Sequence, residues 1–270
     1  MAGFYRDPSA PDSADPGLAP GRVTEIRGTT TLVGLLGWPT SHSLSPPMQN
    51  AGFAALGLDW AYVPLPTPPE MLRDAVRGIV ATGFAGANVT IPHKEMVIPL
   101  CDEIDEVAER AGSVNTLVIR DGRVLGSSTD GEAVVSQLEP EGLRALVLGT
   151  GGASKAVTAA LEAAGADVVV RGRRDEGWPP SADGFDILVN ATPVKDELLV
   201  RPHPGMQVVD LAYRPDGQLT ALVGAARELD CHPSVDGLDV LLAQGAASFE
   251  RWTGEAAPLR AMRNALRGQT

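Results

Sequence analysis

The 270-residue chain contains few cysteines and histidines. Its two cysteines, Cys101 and Cys231, are far apart and show no CxxC spacing, so the sequence predicts neither a disulfide framework nor a zinc site. The four histidines are scattered and lack the spacing of metal ligands. We therefore expect no metal ion and a reducing, cytoplasmic location.

Basic residues are outnumbered. The chain has 22 lysines and arginines against 34 acidic residues, which gives a formal charge of −12 at pH 7. Such a balance argues against nucleic acid and anionic membrane surfaces as partners. An anionic small molecule would have to bind at a site of local positive potential.

Long apolar runs are also missing. Residues 1–28 are rich in proline, serine and aspartate, without the apolar core of a signal peptide or the length of a spanning helix. We expect a flexible tail there and no membrane association.

The rest of the chain alternates short apolar runs with amphipathic stretches. Runs at 32–36, 61–65 and 86–91 are separated by helical patterns at 47–56 and 69–80, a β-α-β-α-β order. Asp121-Gly122 then predicts a hairpin turn. Residues 29–131 are therefore predicted to form one α/β domain with a mainly parallel sheet.

A second unit, residues 132–236, begins with the apolar strand Ala145-Leu146-Val147-Leu148, which leads into Gly149-Thr150-Gly151-Gly152-Ala153-Ser154 and an alanine-rich helix. Further strands at 167–170, 187–189 and 208–211 predict a parallel, Rossmann-like sheet. Residues 237–270 are predicted to form closing helices that pack back on the first domain. The predicted fold class is α/β with two domains.

The glycine turn predicts a dinucleotide site. Gly149 and Gly151 allow close approach of backbone amides to a pyrophosphate at the helix N-terminus. The next strand ends in Arg171-Gly172-Arg173-Arg174, where an NAD site would carry an acidic residue. Guanidinium groups suit a 2′-phosphate, which favours NADP; Asp175 leaves NAD possible, and a solvated basic turn is the alternative.

A second motif, Asn88-Val89-Thr90-Ile91-Pro92-His93-Lys94, indicates proton-transfer chemistry when taken with Asp130. Strand alternation places Asn88 and Thr90 on one face. A helix predicted at 93–100 would hold Lys94 in its first turn, where the positive helix end favours a neutral amine, the form a general base needs. The alternative is an ordinary solvated lysine.

The segment Ser43-Leu44-Ser45-Pro46-Pro47 predicts a helix start. Ser45 is expected to be the N-cap and Pro46 the first helical residue, with free first-turn amides. Two hydroxyls beside such a helix end would accept a carboxylate. A plain capping role would explain Ser45 but not Ser43.

The order of these motifs, continued by Gly112-Ser113-Val114-Asn115-Thr116, Asn190-Ala191-Thr192 and Asp236-Gly237-Leu238, resembles the shikimate dehydrogenase family over about residues 32–252. The resemblance implies a reversible NADP-dependent interconversion of shikimate and 3-dehydroshikimate in aromatic amino-acid biosynthesis. It implies that Lys94 and Asp130 flank the reacting hydroxyl. The implied substrate-binding residues are Ser43, Ser45, Asn88, Thr90, Asn115, Tyr213 and Gln244. The implied cofactor-binding residues are Gly149, Gly151, Gly152, Ala153, Arg173, Arg174 and Gly237.

The sequence departs from the family pattern after the arginine cluster. Only ten residues separate Arg174 from Phe185, too few for a further helix and strand, so we predict a cofactor sheet trimmed by one strand. Altered residues at the cleft rim, Ser127-Ser128 among them, leave quinate or aminoshikimate as alternative substrates. The trimmed segment also leaves a ligand-sensing protein without turnover as an alternative. A monomer and a homodimer are both compatible with the sequence.

Overall fold

The computed structural model describes residues 25–214 and 216–268. The expected flexible tail, residues 1–28, lies outside the described residues up to position 24. The described chain builds two sheets in succession, one from each half of the sequence.

The amino-terminal sheet has six strands in the order β2-β1-β3-β5-β6-β4. They are β1 (Thr31–Gly37), β2 (Trp60–Pro66), β3 (Gly86–Val89), β4 (Glu103–Ile104), β5 (Thr116–Arg120) and β6 (Arg123–Ser127). Its connecting helices are α1 (Ser45–Ala55), α2 (Leu72–Ala81) and α3 (Glu106–Ala111). Strand β1 pairs in parallel with β2 and β3, whereas β5 runs antiparallel to β3 and β6. The sheet is mixed, and its parallel half consists of the predicted β-α-β-α-β units.

The antiparallel half depends on the hairpin between β5 and β6. Asp121 and Gly122 both have positive φ, 51° and 75°, as a two-residue type I′ turn requires. This confirms the hairpin prediction.

The second sheet has five strands, all parallel, in the order β11-β10-β9-β7-β8. They are β7 (Arg144–Leu148), β8 (Asp167–Arg171), β9 (Ile187–Asn190), β10 (Gln207–Asp210) and β11 (Ser234–Val235). Its helices are α4 (Asp130–Val135), α5 (Gly152–Ala163) and α6 (Ala221–Glu228). Apolar clusters cover both faces, which explains why the strands read as continuous apolar runs. The prediction of a parallel Rossmann-like sheet is confirmed, although α6 and β11 were not predicted.

The segment between β8 and β9 contains neither a helix nor a strand. Strand β8 is consequently the outer strand of the sheet within the described residues. Ala182 and Trp178 cover part of the apolar face that a helix would otherwise occupy. The prediction that the cofactor sheet lacks one outer strand, made from the ten residues between Arg174 and Phe185, is confirmed.

The last two helices, α7 (Gly237–Thr253) and α8 (Leu259–Leu266), return to the amino-terminal sheet. The indole Nε1 of Trp252 donates to the Leu117 carbonyl at 2.9 Å, and Gln49 Nε2 donates to the Gly245 carbonyl at 2.9 Å. Met262 packs in one buried cluster with Met48 of α1. These contacts connect the end of the chain to its first domain.

The helix predicted at residues 93–100 is wrong. The chain forms a series of turns there, followed by a single 3₁₀ turn, Ile98–Leu100. Pro99 has no amide to donate and restricts the residue before it, so a helix cannot continue through this point. The helix-dipole argument for Lys94 therefore has no basis in the fold.

Candidate active site

A cleft of about 650 Å³ lies between the two sheets, at the ends of β3, β9 and β10. It is lined by most of the predicted site residues: Ser43, Ser45, Asn88, Thr90, Lys94, Asn115, Asp130, Gly151, Gly152, Ala153, Tyr213, Gly237 and Gln244. Three predicted residues, Gly149, Arg173 and Arg174, do not line it. The fold thus brings residues that are distant in the sequence together around a single cleft.

Lys94 and Asp130 form an ion pair at the cleft wall. The Nζ of Lys94 lies 2.6 Å from Oδ2 of Asp130, and the two side chains are only 15% and 11% exposed. Asp130 is the first residue of α4, where the helix dipole stabilises a carboxylate. The pair therefore places an amine and a carboxylate together at the wall of the cleft.

Two backbone contacts fix the loop that carries Lys94. Its carbonyl accepts from the Val114 amide at 2.9 Å. The preceding residue, His93, is fully buried, and its Nε2 lies 2.7 Å from the carbonyl of Thr67, the residue that follows β2. These contacts position Lys94 in place of the predicted helix.

Asn115 connects the ion pair to the rest of the cleft. Its Nδ2 donates to Oδ1 of Asp130 and to Oγ1 of Thr129, both at 2.9 Å. Its Oδ1 accepts from the Thr129 amide at 2.9 Å. With one carboxylate oxygen bound to Asn115 and the other to Lys94, the Asp130 carboxylate has a fixed orientation.

Tyr62 was not predicted as a site residue. Its hydroxyl donates to Oδ1 of Asn88 at 2.9 Å, while Nδ2 of Asn88 donates to Oγ of Ser248 at 3.0 Å. Burial raises the pKa of Tyr62, and a hydrogen bond with Ser45 opposes this shift. The sequence did contain a signal for this contact. Tyr62 stands in an apolar strand, and a buried phenol hydroxyl needs a polar partner, so a polar group beside it could have been predicted.

The serine segment differs from its prediction in detail. Helix α1 begins at Ser45 with Leu44 as its N-cap, and the Oγ of Ser43 accepts the Ser45 amide at 3.2 Å. Pro46 and Pro47 have no amides to donate. The expectation that Ser45 caps a helix with free first-turn amides is therefore wrong, and the hydroxyls are the polar groups that this segment presents to the cleft.

The glycine turn fits the pyrophosphate of a dinucleotide. Gly149 has φ of 114°, and a Cβ at this position would lie 3.0 Å from the Ala191 carbonyl oxygen. Gly151 has open space where a Cβ would stand, so the backbone is accessible at the start of α5. Ser154, in the position of a third glycine, donates from Oγ to the Gly149 carbonyl at 2.7 Å and closes the turn.

The turn also contacts the Lys94 side chain. A Cβ on Gly152 would lie 3.3 Å from Cβ of Lys94 and 3.0 Å from Oγ of Ser113. The absence of a side chain at 152 therefore lets the stem of the lysine pack against the beginning of α5. This contact places the predicted dinucleotide turn directly beside the Lys94–Asp130 pair.

Arg173 and Arg174 are exposed in the turn after β8, outside the cleft. The turn is shaped by Asp175, whose Oδ2 accepts the Gly172 amide at 2.8 Å. Asp175 thus shapes the backbone of the turn that carries the two arginines. With no strand beyond β8 in the described chain, both guanidinium groups stay accessible to a ligand at the sheet edge.

Gly237 begins α7 against the strand-end turn that carries Tyr213. A Cβ at this glycine would overlap the carbonyl oxygen of Ala212. Tyr213 is half-buried, and burial raises its pKa while a hydrogen bond with the Leu44 backbone opposes the shift. The glycine at 237 is required for this close backbone contact.

Asp210 is a second residue that sequence reasoning missed. It ends β10 with a fully buried carboxylate that accepts from Asn190 Nδ2, the Ala212 amide and Thr220 Oγ1 at 2.9, 2.9 and 2.6 Å. The pKa of this carboxyl is raised to about 6: burial is the main cause, the three hydrogen bonds oppose the shift, and the nearby Asp236 carboxylate adds a smaller increase.

The raised pKa predicts that Asp210 makes stability depend on pH. Between about pH 4 and pH 6 the folded protein retains a proton that the unfolded chain has lost, so stability falls as pH rises through this range. Relative to Asp210→Asn, the free energy of unfolding of the unmodified protein should fall by about 1 to 1.5 kcal/mol between about pH 5 and pH 7.5. Urea unfolding of both proteins at the two pH values measures this, and a pH-independent difference would contradict it.

Two further findings concern the described residues as a whole. In residues 25–214 and 216–268, no helix has the length and apolar character needed to cross a membrane. The same residues contain no group of three or more His, Cys, Asp or Glu side chains placed to hold a metal ion.

A Rossmann-like sheet whose glycine turn touches a buried lysine–aspartate pair, in a cleft lined with hydroxyls and amides, defines a dinucleotide-dependent oxidoreductase. Comparison with known proteins identifies the family. Residues 35–117 match the profile described as "Shikimate dehydrogenase substrate binding domain", and residues 237–267 match the "Shikimate 5'-dehydrogenase C-terminal domain".

Individual relatives agree. The chain is 44% identical to the shikimate dehydrogenase (NADP(+)) of Rubrobacter xylanophilus, over 92% of this chain and 99% of that protein. A crystal structure of a shikimate dehydrogenase in complex with NADP+ superposes with a TM-score of 0.84 at 32% identity, covering 91% and 97% of the two chains. The ligand-free 5-ketofructose reductase of a Gluconobacter strain superposes with a TM-score of 0.78 at 27% identity, covering 90% and 100%. The chain belongs to the shikimate dehydrogenase family.

Proposed function

We propose that this protein is an NADP-dependent shikimate dehydrogenase, which interconverts shikimate and 3-dehydroshikimate in aromatic amino-acid biosynthesis. One observation carries the proposal. The Lys94–Asp130 pair lies in the same cleft as the serine hydroxyls and touches the glycine turn at Gly152. An alcohol held between the serines and the turn would have its proton-transfer group and its hydride acceptor side by side.

The shape of the cleft supports a set of substrate contacts. The hydroxyls of Ser43 and Ser45, with Tyr213 opposite, suit a carboxylate in a protein that offers little positive charge elsewhere. Ring hydroxyls would meet the polar groups that line the remaining wall, Asn88, Thr90, Asn115 and Gln244. The amide and hydroxyl groups supply both donors and acceptors, which a polyhydroxylated ring requires.

The glycine turn, the arginine turn and the start of α7 support a set of cofactor contacts. Gly149, Gly151, Gly152 and Ala153 would hold the pyrophosphate, Arg173 and Arg174 the 2′-phosphate, and Gly237 would border the nicotinamide. When bound, NADP accepts the hydride from the ring carbon or, as NADPH, returns it. NAD stays a possible second cofactor, because the arginine turn also carries Asp175.

Lys94 and Asp130 would move the proton. As hydride leaves the carbon, the hydroxyl must lose its proton, and a base within hydrogen-bonding distance lowers the barrier. The Lys94 amine, held by Asp130 and by the fixed loop, is the group we assign to this hydroxyl. In the reductive direction the same pair returns the proton.

The chain would divide into three parts. Residues 29–131 would bind the substrate, residues 132–236 would bind NADP, and residues 237–270 would close the structure against the first part. A cytoplasmic location is supported by Cys101 and Cys231, both free thiols. The protein would be a monomer or a homodimer, and light scattering of the purified protein measures which of the two it forms.

Initial rates with a panel of substrates and cofactors test the proposed function. We expect the highest kcat/KM for shikimate with NADP, compared with quinate, aminoshikimate and, in the reductive direction, 5-ketofructose. Higher kcat/KM for one of the other substrates would reassign the enzyme within its fold. Tight shikimate binding without NADPH oxidation by 3-dehydroshikimate would indicate a ligand-sensing protein.

A further inference from the structure

The buried carboxylate of Asp210 joins two walls of the cleft. Its Oδ1 accepts at 2.9 Å from the side chain of Asn190, at the end of β9, and at 2.9 Å from the backbone amide of Ala212, just after β10. Asp210 itself does not line the cleft. Ala191, next to Asn190, and Ala212 do line it.

On the β9 side, Asn190 organises the loop that follows the strand. Its Nδ2 also donates to the Val194 carbonyl at 3.0 Å, and its Oδ1 accepts from the Thr192 amide at 3.0 Å. Thr192 and Lys195, in this loop, face the cleft. The Asp210 carboxylate thus holds the side chain that organises this loop.

On the β10 side, the bond to Ala212 fixes the residue immediately before Tyr213. Tyr213 lines the same cleft as Ser43 and Ser45, and the backbone of Leu44, which lies between the two serines, is near enough to the Tyr213 phenol to oppose the rise that burial causes in its pKa. Gly237 packs against the carbonyl of Ala212 from the other side and leaves the turn little freedom. A contact chain runs from Asp210 through Ala212 and Tyr213 to the serine segment.

We propose that Asp210 is a positioning residue: through Ala212 it sets the Tyr213 hydroxyl opposite Ser43 and Ser45, and so determines affinity for the substrate carboxylate. This inference rests on the proposed function. It assigns no contact between Asp210 and the substrate.

The chemistry of the site explains why an aspartate is needed. All three partners of Asp210 donate, and an ionised carboxylate is the side chain that only accepts. An asparagine could accept from Asn190 and Ala212 with one atom, but its amide would face the Thr220 hydroxyl, which also accepts the Val223 amide. The nearby Asp236 carboxylate repels a negative charge on Asp210 and so makes ionisation of Asp210 less favourable.

A double-mutant cycle tests the inference with the full-length protein. We expect Asp210→Ala, which removes the acceptor of the Ala212 amide, and Tyr213→Phe each to raise KM for shikimate about tenfold while kcat stays within about threefold. The KM of the double variant should lie within about twofold of the higher of the two single-variant values. Independent, multiplying effects on KM would overturn the inference. Thr220→Val is the matched control because it removes the bond to Oδ2 and leaves the Ala212 bond intact; its KM should stay within about twofold.

A ligand-free measurement separates this inference from the proposed function. The chain has three tyrosines, so ζ-¹³C-tyrosine labelling gives a simple NMR spectrum in which Tyr213→Phe identifies one signal. Asp210→Ala should shift the Tyr213 signal and leave that of Tyr62 in place, whereas an unmoved Tyr213 signal would overturn the inference. Failure of the proposed function would appear elsewhere, as absence of shikimate turnover by the unmodified protein. Asp210→Ser serves as the second variant if Asp210→Ala does not fold.

Discussion

Replacing Lys94 by methionine should lower kcat for shikimate oxidation by about 10²- to 10⁴-fold, the usual contribution of a positioned general base. Methionine keeps an unbranched stem against Gly152 and removes only the amine. KM for shikimate should change much less, because the serine, asparagine and tyrosine contacts stay in place. Steady-state rates with saturating NADP give both parameters.

The chain offers a matched control for this variant. Lys155 also pairs with a carboxylate, with its Nζ 2.6 Å from Oε2 of Glu95, but both side chains are nearly half exposed. An exposed ion pair contributes little to stability, so Lys155→Met should keep kcat within about twofold of the unmodified enzyme. If Lys94→Met also kept its turnover within this range, the assignment of the proton-transfer group would be refuted.

Replacing Arg173 and Arg174 together by alanine should reduce kcat/KM for NADP by about 10²-fold or more, since each charge-assisted bond to a phosphate is worth about 1.5 to 3 kcal/mol. The value for NAD should stay nearly constant, because NAD has no 2′-phosphate. Both arginines stand in the turn after the outer strand β8, where Asp175 fixes the backbone. Initial rates with the two cofactors measure the ratio directly.

Because the segment at 175–184 adds no strand beside the arginine turn, the loss of kcat/KM in this variant reports on the two arginines themselves. In the described residues no strand lies beyond β8, so the edge at which the two arginines stand is open to a ligand. Arg201→Ala, an exposed arginine of the same sheet domain, controls for a general change in charge. Equal losses with NADP and NAD would show that the turn serves folding and not recognition of the phosphate.

Parts of the fold were accessible from the sequence because their signals are local. The Asp121-Gly122 pair specifies a hairpin through its own backbone preferences. The glycine turn after β7 specifies a strand-to-helix connection in the same way, and ten residues after Arg174 cannot contain a crossover. Each of these features depends on a few neighbouring residues.

The prediction of a helix at 93–100 was wrong because the effect of a proline outweighed the apolar spacing. The apolar spacing of this segment suits a helix, but Pro99 interrupts it, and the burial of His93 against Thr67 stabilises an irregular loop. The serine segment shows the same competition. Ser43, and not Ser45, takes the first free amide, since two prolines follow.

The sequence is sufficient to predict the α/β class, the order of the two sheets, the dinucleotide turn and the polar residues from which the site is built, because backbone preferences and apolar periodicity act over short distances. The tertiary structure alone decided that Lys94 meets Asp130 against Gly152, that Tyr62 holds Asn88, and that Asp210 joins two cleft walls. These contacts join residues distant in the chain, and their geometry depends on how the two sheets pack together.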